Sequence, residues 1–193
     1  MTKQTRIVPL FPLPDVILFP GQILPLHVFE PRYRQMTHDL LDGSGEFVIG
    51  TVLGDDQQLL GDVAPTQEIA GLGRLERYEK LDDGRYMIVI VGQSRVKAKP
   101  IKSEKPYPMA EITQLDDHSD VDRDTIAELK HILAEKQDQE IPNAATVVQL
   151  VDILIMTTQL ESAQRYDFFS EIDLNKRAKK IVDAYKGKSN DSL

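Results

Sequence analysis

The sequence predicts an α+β chain with strands first and helices second, and three observations carry that prediction. Ile7 to Tyr33 is largely apolar but broken by proline. Glycine-punctuated apolar segments then run as far as Leu115. Beyond the acidic run Asp116 to Asp124 the hydrophobic period changes from 2 to 3.6. No βαβ unit repeats, so the first part reads as about six strands with one helix, a small mixed or antiparallel barrel.

The opening stretch, IVPLFPLPDVILFPGQILPLHVFEPRY, holds Pro9, Pro12, Pro14, Pro20, Pro25 and Pro31. Each interior proline would cost a helix ~3 kcal/mol, so an ordinary helix is excluded. A membrane span is excluded by the same prolines and by Asp15, Gln22, His27 and Glu30. Short extended segments remain: Ile7 to Leu10 and Gln22 to Val28. Between them Phe11 to Pro20 reads as a fixed loop, with Pro20-Gly21 a turn signal. Prolines lower the entropic cost of ordering such a loop, so it could display Phe11, Leu13, Ile17 and Phe19 in set directions. The competing expectation is that these large apolar residues are buried as a plug.

Glu30-Pro31 is a helix start, with Pro at the first helical position, and Asp42-Gly43 a stop, giving a helix over Pro31 to Leu41. Phe47 to Leu53 reads as a strand, followed by a polar loop to about Thr66. Gln67 to Leu81 is a long strand, bulged or closely approached at Gly71 and Gly73. Asp82-Asp83-Gly84 signals a hairpin into Tyr86 to Val91, whose nearly continuous apolar run implies cover on both faces or nearly so. Arg95 to Ile101 alternates, with Arg95, Lys97 and Lys99 on one face and Val96 and Ala98 on the other. Met109 to Leu115 is the last strand.

The helical part opens with a stripe at Ile126, Leu129, Ile132, Leu133 and Lys136. Asn143 could cap a second helix from Ala144 to Thr158, apolar almost all round. A short helix fits Ser162 to Ser170. Asp173 caps the last, with Leu174, Ala178, Ile181, Val182 and Tyr185 in line. The predicted divisions are 1–117, 118–187 and a polar, disordered tail at 188–193.

Composition narrows the chemistry. The 193 residues include no Cys, and the net charge is −8. Both parts are acidic: residues 1–120 carry 13 basic and 18 acidic side chains, and residues 121–193 carry 10 and 13. Broad affinity for nucleic acid or anionic membrane is disfavoured. With neither a signal-peptide pattern nor a lipidation motif, a cytoplasmic location is expected.

The run P-L-F-P-L-P-x-x-x-L-F-P-G-x-x-x-P-L-x-x-F-E-P-R-Y from Pro9 to Tyr33 closely resembles the opening of the Lon protease N-terminal, substrate-binding domain family. Gly73-Arg74-Leu75-Glu76 through Gly92-Gln93-Ser94-Arg95 resembles that family's second motif. The resemblance implies a PUA-like open β-barrel followed by a C-terminal helical bundle. It further implies recognition of unfolded or degron-bearing polypeptide, by a stand-alone member without the ATPase and peptidase modules.

The search for catalysis agrees with that expectation. Gly187-Lys188-Ser189 imitates the end of a phosphate loop, but Val182 stands where the earlier glycine is required. No G-x-S-x-G is present. His27, His38, His118 and His131 form no metal spacing. Asp120-Val121-Asp122-Arg123-Asp124 starts like a calcium loop but continues with Thr125 and His131 where Gly and Glu are needed. No enzyme activity, cofactor or metal is therefore expected. Two alternatives to polypeptide binding remain. One is an RNA-binding PUA-like module with phosphate contacts from Arg95, Lys97 and Lys99. The other is an adaptor docking on a partner protease. Glu30 could also pair with Arg95.

Overall fold

The computed structural model describes residues 5–54, 65–116, 120–135 and 145–190. Among them lie six strands and five helices, a mixed α+β chain that divides into two compact units, 1–115 and 116–193.

The first unit holds all six strands: β1 (Thr5–Pro14), β2 (Ile23–Val28), β3 (Glu46–Val52), β4 (Ile69–Lys80), β5 (Tyr86–Ile101) and β6 (Met109–Gln114). Helix α1 (Pro31–Leu41) follows β2, and Pro31 occupies its first turn as the sequence implies. The sheet order is β2-β5-β4-β3-β1-β6, and an additional β5–β6 pairing links its far end back to β5. Strands β5, β4, β3, β1 and β6 thereby form a closed ring of pairings. Only β1–β3 is parallel.

One extra residue shapes this sheet. Gly73 pairs with Gly92 but Leu72 pairs with Ser94, so Gln93 has no partner. The inserted residue reverses the side-chain phase along β5. Before it, Tyr86, Ile88 and Ile90 join a core with Leu18, Val28, Tyr33, Met36, Phe47 and Ile49. After it, Val96 and Ala98 join a second core with Val8, Leu10, Val48, Ala70, Leu72 and Ile112. Successive residues of β3, Phe47 and Val48, point into different cores, and β3 is buried from Phe47 to Val52. The hairpin at Asp82-Asp83-Gly84 forms as expected. Gly84 has φ +78° and its N–H donates to the Leu81 carbonyl at 2.8 Å.

Element bounds differ from expectation at the end of β1, the start of α3 and the end of α5. The first strand does not end at Leu10. It continues through Phe11 to Pro14, because β3 lies alongside in parallel from Val48 to Val52. Such a partner, distant in sequence, leaves no local signal. Cover on the second face of Tyr86 to Val91 is partial: Met87 is 40% exposed and Val89 and Val91 are half-buried, while Tyr86, Ile88 and Ile90 are buried.

The second unit contains α2 (Arg123–Glu135), α3 (Val147–Thr157), α4 (Ser162–Ser170) and α5 (Leu174–Asn190). Their buried residues include Leu129, Leu133, Leu154, Phe169, Ala178 and Ile181. Helix α3 starts at Val147, capped by Thr146 in a reciprocal box with Gln149. It does not start at Ala144, and Asn143 and Ala144 lie outside the described residues. A Thr with Gln three positions later satisfies two orphan backbone N–H groups, more than a lone Asn offers. Asp173 does cap α5, accepting from the Lys176 N–H at 3.1 Å. Helix α5 runs on through Gly187 to Asn190, into the stretch read from sequence as tail. Lys136, His118 and most of the loop before Thr66 also lie outside the described residues. No described helix is long and apolar enough to cross a membrane.

Candidate functional site

The proline-rich stretch forms a plug. Phe11, Ile17 and Phe19 are buried, and of the four residues expected to be displayed only Leu13 is partly exposed. Phe11 packs on Tyr33 with ring centroids 4.3 Å apart. Leu18 and Phe19 lie across Gly71, Gly73 and Gly92, where an added Cβ would collide with them. Side chains fix the path: Thr51 Oγ1 donates to the Val16 carbonyl at 2.7 Å, and Gln22 Oε1 accepts from the Phe19 N–H at 2.9 Å. Prolines do set directions here, but inward, because burial of the large apolar groups outweighs display.

The strand read as a phosphate face is also revised. Arg95 is only 3% exposed, and its guanidinium carbon lies 5.7 Å from the Phe19 ring centroid. Lys97 and Lys99 do point outward. Lys97 pairs with Glu68 at 2.6 Å, and Lys99 stands opposite Glu111 in register. The trio thus presents two lysines, each beside an acid, rather than three cations. Glu30 makes its ion pair with Arg32 at 3.0 Å.

An exposed apolar row lies elsewhere, on the outer face of β2 and the first half of β5. Cross-strand partners there are Ile23 with Val91, Pro25 with Val89, and His27 with Met87. Ile23 is 67% exposed and Phe29, whose ring sits 5.9 Å from that of His27, is 60% exposed. On the β4 side the row ends at Arg74, Arg77 and Glu79, the exposed register partners of Val91, Val89 and Met87. Exposed apolar surface rimmed by charge is a feature that interaction sites commonly present.

On the other side the row ends at an open strand edge. Among the described residues β2 pairs only with β5. The Gln22 carbonyl accepts from the Gly92 N–H at 2.9 Å, which fixes the ladder's phase. Leu24, Leu26 and Val28 therefore direct their peptide groups to β5, while Ile23, Pro25 and His27 direct theirs to the open edge. Pro25 sits where its missing N–H costs no ladder bond, the placement edge strands allow. Sequence reasoning did not single out Ile23, Phe29 and Met87 as candidates. Pro25 inside an otherwise good strand was the signal that β2 is an edge.

A second concavity, of about 480 Å³, lies between the middle of β1 and the segment joining β5 to β6. Leu10, Pro12, Ile101 and Met109 line its walls, with Arg32, Lys102 and Lys105. Asp39 ties that segment to α1: it accepts from Lys105 Nζ at 2.8 Å, Tyr107 Oη at 2.6 Å and Gln35 Nε2 at 2.8 Å. Those donors, Lys105 foremost, pull the Asp39 carboxyl down to about 2. It is ionised at neutral pH, so the tie is intact there.

A family model described as the ATP-dependent protease La (LON) substrate-binding domain matches residues 7–186. A Lon protease of Desulfosudis oleivorans is 24% identical over 196 residues, which cover 93% of the chain and 24% of that protein. A Lon protease 2 of Sorangium cellulosum is 32% identical over 113 residues, covering 56% of the chain and 13% of that protein. The chain thus spans a quarter or less of these curated relatives. The fold is that of two solved structures, the N-terminal domain of a Mycobacterium avium complex Lon protease and a Lon N-terminal domain protein of Xanthomonas campestris. Their TM-scores are 0.71 and 0.70, at 17% and 18% identity, and each covers 92% of this chain and 97% of the other.

Proposed function

The chain belongs to the Lon substrate-binding domain family, and on that premise we propose that it is a non-catalytic module that binds extended or unfolded polypeptide on the outer face of β2 and β5. One observation carries the reading: an exposed apolar row, Ile23 to Phe29 with Met87, that borders an open strand edge. An extended chain can add to β2 through the N–H groups of Ile23 and His27 and the carbonyls of Ile23, Pro25 and His27. Its alternate side chains then rest on the apolar row. Backbone pairing is indifferent to sequence, so this mode suits unfolded clients of varied composition.

The finer architecture in this reading is a PUA-like barrel, supported by the ring of β5, β4, β3, β1 and β6, with a bundle of α2 to α5 behind it in sequence. Its location is cytoplasmic. The nucleic-acid alternative has less support, because Arg95 is buried and Lys97 and Lys99 stand beside acids. An adaptor role would use the same apolar face, with a partner protease in place of the client.

A carboxymethylated, permanently unfolded polypeptide is the probe. Met87→Ser and Ile23→Ser together should weaken its capture by about tenfold or more, the equivalent of uncovering one large apolar side chain. The melting temperature should change little, because both positions are exposed. Undiminished capture by the double variant would remove the outer face from the account.

A further inference from the structure

The concavity beside Arg32 has a basic lining on an acidic molecule. The chain carries a net charge of −8, yet the cleft is lined by three cations, Arg32, Lys102 and Lys105, and by no acidic residue. Its remaining walls are mainly apolar, with Leu10, Ile101 and Met109 among them. We infer that this cleft holds the C-terminal carboxylate of a polypeptide whose last side chain is apolar.

Four observations converge on that occupant. First, the volume of about 480 Å³ lies within the range of roughly 300–1,000 Å³ that encloses small ligands. It has room for a terminal residue and its peptide group. Second, the charges are of unequal availability. Lys105 is held by Asp39 and Arg32 Nε by Glu30, whereas Lys102 is exposed and makes no ion pair among the described residues. Lys102 is therefore the cation that can turn to an incoming anion, the charges of the other two being offset by Asp39 and Glu30. Third, the cleft is set in advance. Pro100, Pro106 and Pro108 stiffen its rim, and the Asp39 contacts to Lys105 and Tyr107 anchor that rim to α1. Binding then orders little of the protein, which preserves affinity.

Fourth, the walls choose among anions. A phosphate ion would lose water against apolar walls with nothing to place on them, which is costly. A nucleic acid would bring a line of charge to an acidic molecule. A chain terminus brings one carboxylate for the cations and one apolar side chain for the walls. Capture of a terminal carboxylate is a recurring mode of peptide recognition. The inference rests on the polypeptide-binding reading and adds an end-specific contact to it.

The test uses the full chain and a labelled decapeptide ending in Leu, as the free acid and as the C-terminal amide, read by fluorescence anisotropy. The free acid should bind about tenfold or more tightly than the amide, as losing a charge-assisted contact implies. Lys102→Gln should erase most of that difference while leaving the amide unchanged. Lys102 is exposed, so this variant should fold normally, and an unchanged melting temperature verifies it. Equal binding of acid and amide, while the carboxymethylated polypeptide is still captured, overturns the cleft assignment and spares the outer face. So does a preference for the acid that survives Lys102→Gln. Failure to bind either the peptides or the unfolded polypeptide overturns both.

Discussion

Gly92→Ala is expected to destabilise the strand-bearing unit by about 3 kcal/mol or more, the upper range for forcing atoms into a packed core. A Cβ at Gly92 would lie 2.0 Å from the Phe19 carbonyl oxygen, and one at Gly71 would lie 2.3 Å from that of Leu18. Both obstacles are backbone, so no rotamer change relieves them. The loop would have to lift from β4 and β5, exposing Leu18 and Phe19, each 1% exposed now. Gly71→Ala should behave alike. Gly187→Ala is the control, because nothing lies within 4 Å of its new methyl and it sits in α5. Urea denaturation of the full chain reads all three. A Gly92→Ala midpoint equal to that of the parent would contradict the plug.

Asp152→Ala is expected to cost the helical unit about 3–5 kcal/mol, the range for breaking a buried charge pair from one side. Arg177 Nε lies 3.8 Å from Asp152 Oδ1, with the two side chains 0% and 2% exposed. Arg177 also donates from Nη1 to the Glu171 carbonyl at 2.7 Å, linking α5 to the end of α4. Removing Asp152 takes the nearby carboxylate from a guanidinium that water does not reach. Replacing both, as Asp152→Leu with Arg177→Met, should recover most of the loss, because a well-packed apolar pair needs no counter-charge. A single Asp152→Ala costing under about 1 kcal/mol would show that the pair carries little of the unit's stability.

How much of this was legible in the chain follows from the range of each interaction. Local chemistry was readable. Pro31 and Asp42-Gly43 bounded α1, Asp82-Asp83-Gly84 made its hairpin, and Gly71 and Gly73 announced a close approach. Ser162 to Ser170 emerged as α4. Interactions set by distant partners were not readable. The parallel partner β3 extends β1 to Pro14, and nothing near Phe11 announces it. Arg95 shares a face with Lys97, yet Phe19 arrives from far along the chain to cover it. The salt link in the second unit hid inside a run that is apolar almost all round, because Asp152 reads as a lone interruption until Arg177 is brought to it.

The direction taken by the proline-rich residues was not legible for a related reason. Large apolar residues stiffened by proline look the same whether they plug a core or line a groove, and Phe11, Ile17 and Phe19 are plug. Tyr86 to Val91 has the composition of a strand covered on both faces. Only the pairing with β2, and the absence among the described residues of any further strand beyond it, shows that Met87 and Ile23 stand open.

The central claim is that polypeptide lies on the outer face of β2 and β5, and chemical-shift mapping tests it most directly. An isotope-labelled chain would be titrated with the carboxymethylated polypeptide and its backbone amides followed. The largest shifts should fall on Ile23, His27, Phe29, Met87 and Val91, with the edge-facing amides of Ile23 and His27 moving most. Shifts centred on Lys97 and Lys99 or on α2 to α5, with β2 silent, would contradict it.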